Sequence, residues 1–170
     1  EGAIFHETDL RGANLSHVEF TDIDLRTCML ERITGLEASF IRVSLAKQSL
    51  KGANLTGASC INSSLTELDF HLAHLINLKL LFCIIEACTF HECRLSGTDF
   101  GLSRLLKTTF AKVDLSQAIF TAATFRDVKF TDSLLKGVDF TLVNAEGLDV
   151  TGSQYPGLCS EGAQIRGLKK

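Results

Sequence analysis

One recurrence governs this chain. Between Ser49 and Gly57 the sequence reads S-L-K-G-A-N-L-T-G, and its core, Ala53-Asn54-Leu55-Thr56-Gly57, is a five-residue word: small, polar, large apolar, polar, polar. The word repeats in one unbroken frame. If the large apolar residue is taken as a centre, every centre from Phe5 to Val150 falls on a multiple of five. Those thirty positions hold fourteen Leu, eleven Phe and Ile85, with Gly35, Cys60, Ala145 and Val150 as the remainder. Two residues before each centre lies a second uncharged set, from Ala3 to Leu148, mostly Ala, Val, Ser, Thr and Cys. Charges within this span are confined to the other three positions.

A step of five excludes the ordinary elements. A helix stripe needs apolar residues at three- and four-residue steps, and a strand alternates every two. A step of five fits a chain that turns a corner every fifth residue. Residues i−2 and i then point inward, and i+1 and i+2 make the turn. Gly12, Gly52, Gly57, Gly97 and Gly137 all occupy i+2, the position where a type II-like turn calls for positive φ.

The pattern resembles the pentapeptide-repeat family, with its motif A-[DN]-[LF]-x-x. Ala13-Asn14-Leu15-Ser16-His17, Ala53-Asn54-Leu55-Thr56-Gly57 and Val138-Asp139-Phe140-Thr141-Leu142 carry the resemblance, which covers about nine-tenths of the chain. It implies an all-β fold: a right-handed quadrilateral parallel β-helix with four pentapeptides per coil and about seven to eight coils. The phenylalanines support a twenty-residue coil independently. Nine of the twelve lie at multiples of ten. Phe70, Phe90, Phe110 and Phe130 then stack in one column. Phe20 and Phe40, followed by Phe100, Phe120 and Phe140, stack on the opposite side. Successive coils are expected about 4.8 Å apart, a rod of roughly 35–40 Å.

The expected organisation is a repeat domain over residues 1–150, followed by a terminal loop and a last repeat-like segment over 151–170. Tyr155-Pro156-Gly157 motivates that boundary, because proline removes a ladder donor. Tyr155 and Leu158 are expected to cover the last coil, and Ala163-Gln164-Ile165-Arg166-Gly167 to resume the pattern. The start, at Ala3-Ile4-Phe5, enters the repeat without a cap or an initiator Met, which suggests a processed chain or a piece of a longer one. Gly35 is the one centre without a side chain. It is expected to leave a void between Leu15 and Leu55, with a bulge turning Leu36 partly inward.

Composition narrows the function. Twenty acidic and seventeen basic residues give a net charge of −3, which neither draws nucleic acid strongly nor forms an acidic tail. No apolar run approaches a membrane span. Of six cysteines, Cys28, Cys83, Cys88 and Cys93 take the small inward position and Cys60 a centre, with Cys159 outside the pattern. This placement reads as reduced thiol used as a small buried apolar group, and hence as a reducing, cytoplasmic setting. Cys83, Cys88 and Cys93 do not have a zinc spacing, and no inward His joins them. His71 and His91 stack on one outer column near Asp69 and Glu92, an arrangement read as solvated side chains. There is no nucleophile with a base, no P-loop, no G-x-G-x-x-G and no C-x-x-C. No enzyme, metal or cofactor is expected.

Two functional classes remain. One is a protein–protein interaction scaffold, through a protein partner or self-association. The other, implied by the resemblance, is a topoisomerase-protecting protein that mimics duplex DNA and binds gyrase. Mimicry needs a stripe of negative charge. The outer column Glu19, Ser39, Ser59, Lys79, Asp99, Ile119, Asp139 has mixed signs, so the scaffold is preferred. Its candidate interaction surface is an apolar stripe on one corner: Ile41, Ile61, Leu81, Phe82, Ile84, Leu102 and Leu142.

Overall fold

The computed structural model describes residues 5–170, so the expected entry at Ala3-Ile4 lies outside the described residues. The chain winds as a four-sided β-solenoid of about seven turns. All strands are parallel, and every paired residue lies twenty positions from its partner, as in Phe20↔Phe40 and Phe110↔Phe130. The Phe20 wall begins with the strands Glu19–Thr21, Ser39–Ile41, Ser59–Ile61 and Lys79–Leu81. It continues by single bridges through Asp99, Ile119, Asp139 and Cys159. The Leu45 wall is a seven-stranded sheet from Ser44–Ala46 to Gln164–Arg166. The Phe90 wall holds Thr89–His91, Thr109–Ala111 and Lys129–Thr131. The Leu55 wall is joined by single bridges alone, from Asn14↔Thr34 to Leu134↔Gln154.

The residue before each centre sets the turn. Where it is Asp or Asn, its side chain usually accepts the i+1 amide, as Asp69 does from His71 at 3.0 Å and Asp139 from Thr141 at 2.7 Å. That is an Asx-turn, and it takes the i+1 amide out of the ladder between coils. Where the residue is Ser, Thr, Lys or Ile, a three-residue strand more often forms, as at Ser59–Ile61 and Ile84–Glu86. The residue two beyond nearly every centre has φ between 48° and 72°, and twenty-two of these residues are not glycine.

This turn chemistry overturns the expected terminal loop. Residues 151–170 form a further coil, with Gln164–Arg166 paired to Asn144–Glu146 and bridges Leu134↔Gln154, Asp139↔Cys159 and Asp149↔Lys169. Pro156 occupies i+1, where the amide is dispensable and the fixed φ suits the turn. Its carbonyl accepts the Gly137 amide at 2.9 Å, so the ladder is intact. Leu158 is partly buried against the core, whereas Tyr155 is 43% exposed and covers little.

Inside, aromatic stacking dominates the later coils. Phe70, Phe90, Phe110 and Phe130 stack at 4.6, 4.7 and 4.8 Å between ring centroids. Phe100 and Phe120 stack at 4.6 Å on the opposite wall and meet the first column edge-on at 88°. Phe125 breaks the Leu pattern of its own wall and lies edge-on to Phe120 and Phe140. The small Ala145 is its strand partner, one coil on, so a large residue is followed by a small one in that column. Earlier, where Cys60 and Leu80 replace Phe, a void of about 30 Å³ remains among Phe40, Leu50, Cys60, Phe70 and Leu80.

Gly35 behaves otherwise than expected. A Cβ there would lie 2.9 Å from Leu55 Cδ2, so Leu55 already fills the space. No bulge forms: the Gly35 amide bonds to the Asn54 carbonyl at 2.8 Å and Glu37 to Thr56 at 3.2 Å. Leu36 therefore stays outside, 37% exposed.

Candidate interaction surface

The inward groups leave no chemistry to spare. Each of the Cys83, Cys88 and Cys93 thiols donates to a carbonyl of the preceding coil: Cys60 at 3.2 Å, Leu65 at 3.4 Å and Phe70 at 2.6 Å. Burial pushes Cys88 up to about 12 and Cys93 up to about 11. Cys88 and Cys93 are thus protonated donors, and the three thiols lie on three different walls, each directed to its own carbonyl. The His71 and His91 rings lie 5.1 Å apart, tilted by 31°, and His91 Nε2 is 3.7 Å from Glu92 Oε1. Among the described residues no group of three or more His, Cys, Asp or Glu side chains is arranged to hold a metal ion. Among them, too, no helix is long and apolar enough to cross a membrane.

Outside, ion pairs form both within a turn and between neighbouring coils. Arg11 pairs with Asp9 at 2.8 Å and Arg26 with Asp24 at 2.6 Å, each within one turn. The guanidinium contacts hold both carboxyls at about 2. Arg42 reaches one coil back to Asp22 at 2.6 Å. The mixed column from Glu19 to Asp139 lies on the outer side of the Phe20 wall.

The apolar stripe divides into two classes. Ile41, Ile61 and Leu81 are partly buried on the Phe20 wall. Leu81 leans over Gly101, its Cδ2 3.5 Å from where a Cβ would sit. Phe82, Leu102 and Leu142 stand at the corner between the Phe20 and Leu45 walls, 53%, 52% and 59% exposed. Ile84, at 43%, flanks them on the Leu45 wall. Leu81 folds down over its neighbour, whereas these side chains stand out into solvent.

The corner residues sit in an unfavourable backbone conformation. Phe82, Leu102 and Leu142 have φ of 56°, 59° and 59°, and Ala122 between them 56°. The left-handed region is tolerated by Gly, Asn and Asp and is an outlier for bulky side chains. Other corners use Gly12, Gly52, Gly97, Asn77 and Asp127 at this position, or long charged side chains such as Arg32, Glu67 and Lys107, and Asn62 precedes Phe82 on the same corner. Leu72 shares the conformation on another corner, but stands alone there between Gly52 and Glu92 of the adjacent coils.

Sequence reasoning missed two surface depressions. One, of about 150 Å³, lies on the Leu45 wall between Arg104, Thr124, Arg126, Asn144 and Glu146. Arg126 there pairs with Glu146 at 3.8 Å. The other, of about 190 Å³, is bounded by Arg11, Met29, Glu31, Lys47, Gln48 and Ser49. Gln48 Nε2 donates to the Leu25 carbonyl, while its Oε1 is buried without a partner. The legible signal was a Gln in a column of small residues.

Family models match this repeat over most of the chain. The model for pentapeptide repeats (8 copies) matches residues 1–32, 38–75 and 53–91, and that for a pentapeptide repeat region matches 83–156. A search of curated protein sequences finds no match. Among solved structures, HetL, a pentapeptide repeat protein involved in heterocyst differentiation regulation from the cyanobacterium Nostoc sp. strain PCC 7120, is 19% identical. It covers 94% of this chain and 84% of its own, with a TM-score of 0.42. A trypsin-treated variant of QnrB1, a plasmid-mediated fluoroquinolone resistance protein, is 18% identical over 98% of this chain and 79% of its own, with a TM-score of 0.42. A pentapeptide repeat protein from the Arabidopsis thaliana thylakoid lumen is 22% identical over 84% and 74%, with a TM-score of 0.32. With family models matching most of its length, the chain belongs to the pentapeptide-repeat family.

Proposed function

We propose that this protein is a non-enzymatic protein–protein interaction module whose contact surface is the corner bearing Phe82, Leu102 and Leu142. One observation carries the reading: these bulky side chains are about half exposed while their backbone occupies the left-handed region. A solvated turn gains nothing from Phe over Asn or Gly, whereas a contact that buries the ring gains roughly 25 cal/mol per Å² of apolar surface. The filled interior and the donor role of the inward thiols support the non-enzymatic part. Unbridged thiols suit a reducing compartment, and a cytoplasmic location belongs to the proposal.

The gyrase-protecting alternative lacks support from the surface charge, since Lys79 and Ile119 interrupt the column from Glu19 to Asp139, and Met29, Thr89 and Lys129 the column from Asp9 to Asp149. Added protein is expected to leave gyrase supercoiling and its inhibition by quinolones unchanged.

The test of the module is a corner variant, Phe82→Ser with Leu102→Asp. It is expected to keep its β circular dichroism and its unfolding midpoint, and to lose the proteins that immobilised wild type retains from an extract, or its own self-association. Undiminished retention and self-association by a folded variant would remove the corner as the contact surface.

A further inference from the structure

We propose that the corner is occupied by a second copy of the same chain, packed antiparallel across it; this rests on reading the corner as an interaction surface. Along the corner the order is Phe82, Leu102, Ala122, Leu142, one per coil. A two-fold axis midway between the coils of Leu102 and Ala122 sets Phe82 against the second copy's Leu142. It also sets Leu102 into the notch left by the second copy's Ala122. The surface is therefore complementary to itself, as an isologous contact requires.

The charges beside the corner agree with that axis. On the Phe20 wall the flanking column runs Lys79, Asp99, Ile119, Asp139. The same axis brings Lys79 opposite Asp139 of the second copy, and by symmetry Asp139 opposite its Lys79. Lys79 is exposed and has no ion-pair partner within its own chain among the described residues. Asp139 is held ionised by the Thr141 amide and the Thr121 hydroxyl, at 2.7 and 2.8 Å. Asp99, whose Oδ1 accepts the Gly101 amide at 2.8 Å, meets apolar Ile119. On the Leu45 wall Ile84 meets Asn144 and Arg104 meets Thr124, so no like charges oppose one another in either flanking column. A parallel two-fold pairing would likewise oppose unlike charges, Asp99 against Arg104, so charge is compatible with both arrangements. The parallel pairing would, however, stack Ala122 on Ala122, leaving a gap between the leucines. Packing therefore favours the antiparallel arrangement.

Three coil steps span about 14 Å, a short contact for a permanent dimer, so association is expected in the micromolar range or weaker. Sedimentation velocity over a concentration series reads it directly. Wild type is expected to dimerise. Lys79→Glu and Asp139→Lys are each expected to raise the dissociation constant about tenfold, and the double reversal to restore it. Lysine at position 139 is compatible with the fold, because Lys79 fills the equivalent place on the same wall. Circular dichroism confirms that each variant is folded, and Phe82→Asn supplies a milder corner change that weakens the dimer without adding charge. A wild type that is monomeric throughout overturns the second copy as occupant. In that case the module reading still stands if the corner variant loses extract proteins, and falls if it does not. A dimer that the double reversal fails to restore overturns the antiparallel register.

Discussion

The Ser103 hydroxyl accepts the Cys83 amide at 2.8 Å, one coil away, and donates to the Leu80 carbonyl at 2.5 Å. Closed turns bond the equivalent amide to the preceding centre, as Ala73 does to Phe70 at 3.0 Å. Cys83 follows the strand Lys79–Leu81, and the next coil supplies its acceptor. Ser63 does the same for Val43 and Ser133 for Val113. Inward serines are thus positioned where a strand has opened the turn.

Ser103→Ala is accordingly expected to cost about 1–3 kcal/mol, the penalty of a buried donor left unpaired. Ser96→Ala, on the outer surface, is expected to change stability by less than about 0.5 kcal/mol. Urea titration of the two variants checks the difference.

Phe110 is fully buried, stacked between Phe90 and Phe130 and edge-on to Phe100. Phe110→Ala is expected to cost about 3–5 kcal/mol, while Lys112→Ala, two residues on and exposed, stays within about 0.5 kcal/mol. Equal losses would refute the inward and outward assignment.

Gln48→Leu removes a buried unpaired oxygen and places in that column the residue that Leu68 already supplies one coil later. The expected result is a protein as stable as wild type or more stable by about 1 kcal/mol, read as a rise in the thermal midpoint.

The buried thiols predict loss of stability in alkali. Their folded values, about 12 for Cys88 and about 11 for Cys93, lie above the ordinary 9.0. The unfolded chain therefore releases these protons first. The stabilisation is complete below about pH 9 and is lost as pH rises through 11 to 12. Denaturant midpoints measured from pH 8 to 11 should fall, and fall less for Cys88→Ala relative to its own value at pH 8. Below pH 9 the same thiols should react slowly with a disulfide reagent, and Cys159, which is exposed, quickly.

Phe82→Asn tests whether the corner sacrifices stability for contact. Asn tolerates positive φ, so the variant is expected to be at least as stable as wild type, by up to about 1 kcal/mol, yet weaker in association. A marked loss of stability would mean that the Phe82 ring packs on its own molecule.

The coil was legible because its determinants are local. Each residue's place in the word of five decides whether it points in or out, while the resemblance to the family implies a coil of twenty residues, which nine phenylalanines spaced by tens support. Pairings such as Phe70, Phe90 and Phe110 in one stack follow from that coil length. The tertiary structure decided what depends on the next coil. Leu55 fills the space at Gly35, and Leu81 tucks over Gly101 while Phe82 stays out. Pro156 is harmless because its turn asks no amide of it. Side-chain rotamers, voids and spare hydrogen-bond donors are set by the neighbour stacked about 4.8 Å away, and a period of five carries no information about which rotamer that neighbour selects.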